Sequence, residues 1–500
     1  MIFSSTTPII EIMHSEKRKK TKPAVAALFL VCCAALHWSC VSPPEITAPE
    51  AIPETEEAPP EPERFIDRLA ALLGAGDIDG ALALFDTLGR EEASLRQNRR
   101  LKASVLISAG KLEEARAAAE TLVNEDSTDT ESRFILSNIE GASGRTKEQR
   151  LLLEGVLKDD PAHVPALNDL GQIFIAAKSY RTAASYFDRA LAADPLNLHS
   201  IHGRANVYRL ERNADEAAAL FNRAVELYPD RGEVYSERGR FYRENDRLTE
   251  ALSDLDTAKR LNPDSYWVSY DRGRVLLQMG KKREALEEFD KVNRLGPGIF
   301  IGYVYSAGIR DELGYVDEAE RDFQALADLR PDYYFALEGL GIQKMKKGLY
   351  NEAAQVFEAA YKTAPSENNY ALLAAINRLK GGGKPYEVKP FVEQVLGKID
   401  RNKLDYHVMR LFYDFSGDAD VARRIDREKN QRTKAQMLFY MANYYDVMGI
   451  NPLADKFFIE FRDMKRMDLI EWRLNEWILS QRNIQLGGDA ADHVDAAQKG

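Results

Sequence analysis

Beyond residue 40 the chain contains no cysteine: its three cysteines are Cys32, Cys33 and Cys40. That excludes disulfides and thiolate metal sites from everything that follows, and it suits a domain folding in an oxidising compartment. Histidine is almost as scarce, seven in all with two of them before residue 40, so acid–base equipment is thin. No pair of histidines flanks a glutamate as zinc proteases require, and no nucleophile elbow occurs. Gly381-Gly382-Gly383-Lys384 runs into proline and lacks the spacing of a phosphate loop, so it reads as a linker. Positive charge is also short: the net charge is −11, which argues against nucleic acid as a partner, because such binding needs a basic footprint. The acidity is otherwise a solubility device. There is no apolar run long enough to span a bilayer. The longest, Ala24 to Leu36, falls short of the roughly 20 residues that a spanning helix needs.

What the chain does have is a period. Pro161, Pro195, Pro229, Pro263, Pro297, Pro331 and Pro365 recur at every thirty-fourth position without a slip. With these prolines at position 32 of a unit, the frame runs ungapped from Pro62 to Glu367, nine units. Position 20 is alanine in Ala81, Ala115, Ala183, Ala217, Ala251, Ala285, Ala319 and Ala353, with Gln149 the exception. Position 8 is small in Ala103, Ser137, Gly171, Ala205, Gly239, Gly273, Ala307 and Gly341, against Leu69. Position 24 is large and apolar in Phe85, Leu153, Phe187, Phe221, Leu255, Phe289, Phe323 and Phe357, against Ala119. Small residues at 8 and 20 let two antiparallel helices approach closely, since interaxial distance follows the contact side chains. The residue at 24 fills the gap to the next hairpin, and proline at 32 stops the second helix. The first two units end instead in Ala93 and Ser127.

Self-similarity of this length marks a repeat array, and the unit Leu167 to Pro195 carries Leu167, Leu170, Gly171, Phe174, Ala183, Phe187, Ala190 and Pro195 at eight signature positions. The chain resembles the tetratricopeptide-repeat (TPR) family, of the bacterial TPR lipoprotein type. The resemblance implies an all-α fold, a right-handed α-solenoid of stacked helix hairpins, with about nine ungapped units over residues 64–367. It implies a non-catalytic scaffold or adaptor that binds proteins or peptides along a concave groove, with no cofactor. Arg204, Arg238 and Arg272 depart from the pattern at position 7, where an apolar residue is usual.

After Pro365 the period weakens while helices continue. Asn369 to Lys380, Tyr386 to Ile399, Leu404 to Phe415 and Asp420 to Lys429 read as helices of degenerate hairpins over 368–434. Residues 435–482 read as a TPR-like unit, with Ala442, Tyr445, Ala454 and Phe458 in place, plus a capping helix Leu469 to Gln481 that carries Trp472 and Trp477. Residues 483–500 read as a disordered polar tail.

The stretch from Met1 to Glu63 is a different object. Lys17-Arg18-Lys19-Lys20 and Lys22 precede the apolar run, the dimensions of a secretory signal, with Met13 a second candidate start. Ser39-Cys40 resembles a lipoprotein cleavage site, so residues 1–39 are expected to be a signal peptide and Cys40 the lipidated residue. Ordinary secretion or an uncleaved anchor is the other reading. Loss of residues 1–39, with five basic and two acidic groups, leaves a mature charge of −14. From Val41 to Glu63, seven prolines and seven glutamates make a stiff, acidic tether over 40–63. At about 3.1 Å per residue in polyproline II it reaches roughly 60–70 Å. The resemblance implies partners among envelope proteins, membrane attachment through the lipid, and, because Val41 is not the aspartate of inner-membrane retention, an outer-membrane location facing the periplasm. Nothing specifies an oligomeric state.

In TPR arrays, positions 2, 5, 9 and 12 of each first helix face the inner groove. Here they collect His199, His202, Asn206 and Arg209, then Arg240 and Arg243, then Trp267, Tyr270 and Arg274. Arginine forks beside flat aromatic faces suit carboxylates and acidic peptides. Two readings stand: a peptide groove, or arginines paired with Glu233, Glu237, Glu244 and Asp271 on a solvated helix face. An envelope receptor for a small anionic ligand or glycan is the alternative function. His199 and His202 have no evident third ligand, so no metal site is expected. Phe335, Ile342 and Met345 line the same formal face, near Tyr303 to Tyr305, either as an apolar groove or as hairpin core. An enzyme within 368–434 is a third class, which an unpartnered buried histidine or carboxylate pair there would favour.

Overall fold

The computed structural model describes residues 65–482, and its regular structure is helical, with no strand among the described residues. Residues 1–64 and 483–500, including the expected signal, Cys40, tether and tail, lie outside the described residues. The chain divides into two compact units, Met1–Phe241 and Tyr242–Gly500.

The first unit begins with short pieces, α1 (Phe65–Gly74), α2 (Ile78–Leu84), a 3₁₀ turn at Phe85–Thr87 and α3 (Arg90–Ser94). Regular hairpins follow: α4 (Arg96–Ser108) with α5 (Leu112–Glu125), α6 (Thr130–Ala142) with α7 (Thr146–Asp159), α8 (Val164–Ala176) with α9 (Tyr180–Ala193), and α10 (Leu198–Leu210) with α11 (Ala214–Leu227). The helix α12 (Gly232–Glu244) carries the division between the units. The second unit holds α13 (Leu248–Leu261), then hairpins α14 (Tyr266–Gln278) with α15 (Lys282–Leu295), α16 (Phe300–Leu313) with α17 (Val316–Leu329), and α18 (Tyr334–Lys346) with α19 (Tyr350–Thr363). It continues through α20 (Asn368–Lys380), α21 (Pro385–Leu396), α22 (Leu404–Asp414), α23 (Asp418–Arg427), α24 (Gln431–Val447), α25 (Asn451–Asp463) and α26 (Ile470–Gln481). Consecutive hairpin packing of this kind is the architecture of a TPR solenoid.

The repeat frame governs where helices start. First helices begin at position 1 in Arg96, Thr130, Val164, Leu198, Gly232, Tyr266, Phe300, Tyr334 and again in Asn368. Second helices begin at position 17 from Ile78 to Tyr350. Between them, position 15 takes a left-handed backbone in ten successive units: Gly76, Gly110, Gly144, Lys178, Arg212, Asp246, Gly280, Gly314, Gly348 and Gly382. Second helices stop just short of the residue that precedes proline. Asp160 (φ −127°, ψ 89°) and Asp194 (φ −137°, ψ 94°) have left the helical region, as a residue ahead of a proline ring must.

The alanines at position 20 are fully buried in all eight units that carry them. Phe187 shows how the position-24 ring fits. A Cβ on Gly171 of its own hairpin would lie 2.5 Å from the ring, and a Cβ on Gly203 of the next would lie 2.1 Å from it. Phe357 against Gly341 (2.7 Å) and Phe323 against Gly339 (2.3 Å) repeat the two halves of this arrangement. Where Gln149 replaces alanine, its amide lies against Gly141, 2.6 Å from where a Cβ would be.

Polar ladders run alongside. The position-7 arginines each reach back to the same position of the preceding second helix: Arg204 to Asp188 (2.7 Å), Arg238 to Asn222 (3.0 Å) and Arg272 to Asp256 (2.7 Å). Arg189, Arg223 and Lys291 donate to the carbonyls of Pro161, Pro195 and Pro263. These prolines therefore also receive a cation from the following unit.

Candidate functional site

Of the nine residues expected to line the groove, five belong to the first unit. His199 is exposed, and Arg209 donates through Nε and Nη2 to Asn206 Oδ1 at 3.1 and 2.6 Å. Arg240 donates to Glu237 at 2.6 Å. His202 packs near Phe221, its buried Nε2 makes no hydrogen bond, and burial, followed by His199 and Arg231, pushes its pKa down to about 4. That histidine is neutral at physiological pH. Among the described residues no group of three His, Cys, Asp or Glu side chains is placed to hold a metal ion.

The other four, Arg243, Trp267, Tyr270 and Arg274, converge in the second unit. The α14 register puts Trp267, Tyr270 and Arg274 at positions 2, 5 and 9, on one helical face. Tyr270 is buried and meets Trp267 edge-on, with centroids 5.9 Å apart, while the indole stays 48% exposed. Arg274 stacks its guanidinium over Tyr270 at 5.4 Å and forms no ion pair among the described residues. Arg243 is largely covered. Its acidic contact to Glu244 is 3.7 Å long, and its buried Nε has no hydrogen-bond partner. Burial first, then the neighbouring Arg274, hold the Arg243 guanidinium below its usual pKa; Glu244 and Asp271 act in the opposite direction. Two neighbouring guanidinium groups with donors to spare, against aromatic faces, form a surface that a carboxylate would complete. Tyr305 belongs with this cluster. It stacks on Phe289 (4.5 Å, 5°) and meets Tyr270 at 5.8 Å. Burial first, then Tyr305, raise the pKa of the Tyr270 phenol.

Two other arginines of the second unit, Arg272 and Arg310, are matched by acids. Arg272 holds Asp256 and the buried Glu288 (2.5 Å), which also accepts from Lys259 at 2.6 Å. Arg310 is clasped by Asp290 and Asp322.

Further along, Ile342 and Met345 are 1% exposed and belong to the core, while Phe335 is half-buried against Tyr334. The formal groove face at α18 therefore contributes to the hairpin core. Glu338, at position 5 of that face, gives no signal in the sequence among its apolar neighbours. Its carboxylate accepts from Tyr370 Oη at 2.6 Å, and desolvation by the surrounding protein pushes its pKa up to about 7. Within 368–434, His407 is held below its usual pKa by burial and Arg424. No helix among the described residues is long and apolar enough to cross a membrane.

The tetratricopeptide repeat family model matches residues 138–197, 202–266 and 310–368, and these stretches are tetratricopeptide repeats. No match is found among curated proteins. Similar solved structures include a tetratricopeptide repeat protein from Parabacteroides merdae (20% identity, 48% of this chain and 96% of that one, TM-score 0.40). Another is pilF of Pseudomonas aeruginosa (22%, 41% and 94%, TM-score 0.36). A third is YrrB, described as a TPR protein with an unusual peptide-binding site (20%, 37% and 95%, TM-score 0.29).

Proposed function

We propose that this chain of tetratricopeptide repeats is a non-catalytic scaffold of the bacterial envelope, exported, lipid-anchored through Cys40 at the outer membrane, that binds acidic segments of other envelope proteins. TPR folds generally mediate protein interactions. The observation that carries the recognition chemistry is the Arg243–Arg274 pair: neighbouring cations with no carboxylate at hydrogen-bonding distance among the described residues, beside an indole left half in solvent. A carboxylate-bearing peptide supplies the missing acceptors, and Trp267 offers a flat face for its backbone or an apolar side chain. The exposure of Trp267 favours an extended peptide over an enclosed small anion.

The test is photo-crosslinking in cells from position 267, with the exposed position 253 on α13 as control. A captured protein that disappears in the Arg243→Ala/Arg274→Ala variant supports the reading; capture no greater than at position 253 sinks it. For the anchor, lipid labelling is expected to vanish in Cys40→Ala, and labelling that persists refutes the assignment.

A further inference from the structure

The C-terminal helix α26 does more than cover the end of the last hairpin. Leu474, Ile478 and Leu479 pack into the core, and Asn475 Nδ2 donates to the Phe458 carbonyl at 3.2 Å. Its first turn, however, reaches towards helices far back in the sequence. Arg473 pairs with Asp311 on α16, where the 2%-exposed carboxylate also takes Lys346 (2.6 Å) and Gln343 (2.7 Å). Glu471 is fully buried and accepts from Tyr440 Oη (2.7 Å) and Gln436 (3.2 Å) on α24. Both Glu471 and Arg473 act electrostatically on Glu338 of α18. The helix thus reaches, through Arg473, the inner-face residue Asp311 of α16, and stands close enough to α18 to act on Glu338.

The contact is also incomplete. Glu471 Oε2 and Asn475 Oδ1 are buried without hydrogen-bond partners. A buried polar atom without a partner is destabilising, because it has given up water for nothing. A helix docked this way is held less firmly than its apolar area alone would hold it.

We propose that α26 is a self-docked lid, latched to α16 by Arg473–Asp311 and to α24 by Glu471–Tyr440, and released as the enclosed carboxyl Glu471 loses its proton. Facing Glu338 are Tyr370, Glu367, Tyr333, Tyr440 of α24, and from the lid Arg473 and Glu471. Facing Glu471 are Tyr440, Gln436 and Arg432 of α24. The lid's other acid, Glu476, faces Arg462 of α25. Arg473 is already committed to Asp311, whose carboxyl stays below the usual range despite burial because Arg473 and Lys346 face it. Arg432 is likewise paired, with Asp468. With both cations taken, further negative charge on Glu338 and Glu471 finds little compensation.

The sign follows from linkage. Burial raises both carboxyls, Glu338 to about 7 and Glu471 above the usual range. Undocking returns Glu471 to solvent and to an ordinary carboxylate pKa. Docking is therefore at full strength below the ordinary value near 4.5, and weakens as pH climbs through the raised value of the docked Glu471.

Hydrogen–deuterium exchange on the full chain, corrected for intrinsic rates, tests this. Protection of 470–481 is expected to fall about tenfold or more between pH 5 and pH 8, while 431–463 keeps its protection. Glu471→Gln is expected to flatten the difference. Should that variant fold poorly, Tyr440→Phe, which removes one donor to Glu471, is expected to shift the transition in the wild-type background. Equal protection of 470–481 at both pH values, parallel loss across 431–463, or an unshifted transition in Tyr440→Phe would overturn the lid.

Discussion

The ring of Phe187 fills the space that a side chain on Gly203 would need, so adjacent hairpins are keyed by a large residue in one and an absent one in the next. The same ring sits where a Cβ on Gly171 would go. Gly203→Ala and Gly171→Ala are expected to destabilise by about 1–3 kcal/mol, the usual cost of overpacking. Gly308→Ala, in a helix with nothing near the would-be Cβ, is expected to stabilise by about 0.5–1 kcal/mol. Denaturant titration of the three variants reads both signs.

Position 15 gives a second test. Lys178 (φ 59°), Arg212 (φ 64°) and Asp246 (φ 58°) hold the left-handed backbone that glycine holds in seven other units. Lys178→Gly and Arg212→Gly are expected to raise stability by about 1 kcal/mol each, and Gly280→Ala to lower it by about 1–2 kcal/mol. Thermal midpoints suffice, because the sign is the prediction.

His202 is expected to make the first unit acid-sensitive. Its folded pKa lies below the ordinary 6.5, so the stability it confers as a neutral ring is present above 6.5 and is lost as pH falls towards 4. The loss is on the order of 2 kcal/mol. A His202→Leu variant is expected to show a smaller drop between pH 7 and 4 than wild type, by denaturant midpoint. An equal drop would place the acid sensitivity elsewhere.

The ion pairs differ in weight. Asp188 is more than half exposed, and Asp188→Asn is expected to cost under about 1 kcal/mol despite its 2.7 Å contact with Arg204. Glu288 is 5% exposed and holds both Lys259 and Arg272, so Glu288→Ala is expected to cost about 2 kcal/mol or more. A double-mutant cycle with Arg272→Met separates the pair from the packing.

The phase of the hairpins is legible in the sequence because each structural need recurs in the same residue type: proline after a helix, alanine where helices touch, a ring between hairpins. The helix starts fall on the frame even at Asn368, past the last proline of the series. The position-7 arginines are visible as departures, and their partners Asp188, Asn222 and Asp256 stand at one shared position, a pairing the sequence displays. Glu338 is hidden by its neighbours, since an acid among Phe335, Ile342 and Met345 has no meaning until Tyr370 and α26 are beside it. Nor does a period of nearest neighbours announce a pair such as Arg473 and Asp311. Convergence of Arg243 with Arg274 follows from the frame, but their lack of close carboxylates requires coordinates.

That last long-range latch sets a rule for growth. Ladders such as Arg204–Asp188 and Arg189–Pro161 join a hairpin only to its predecessor, so one whole repeat duplicated or removed among α6 to α11 rejoins like to like. Between Asp311 and Arg473 the same edit changes how far the chain must travel before it closes on itself. The first unit can be lengthened by copying, whereas the stretch from Asp311 to Arg473 is held to one length by the pair that closes it.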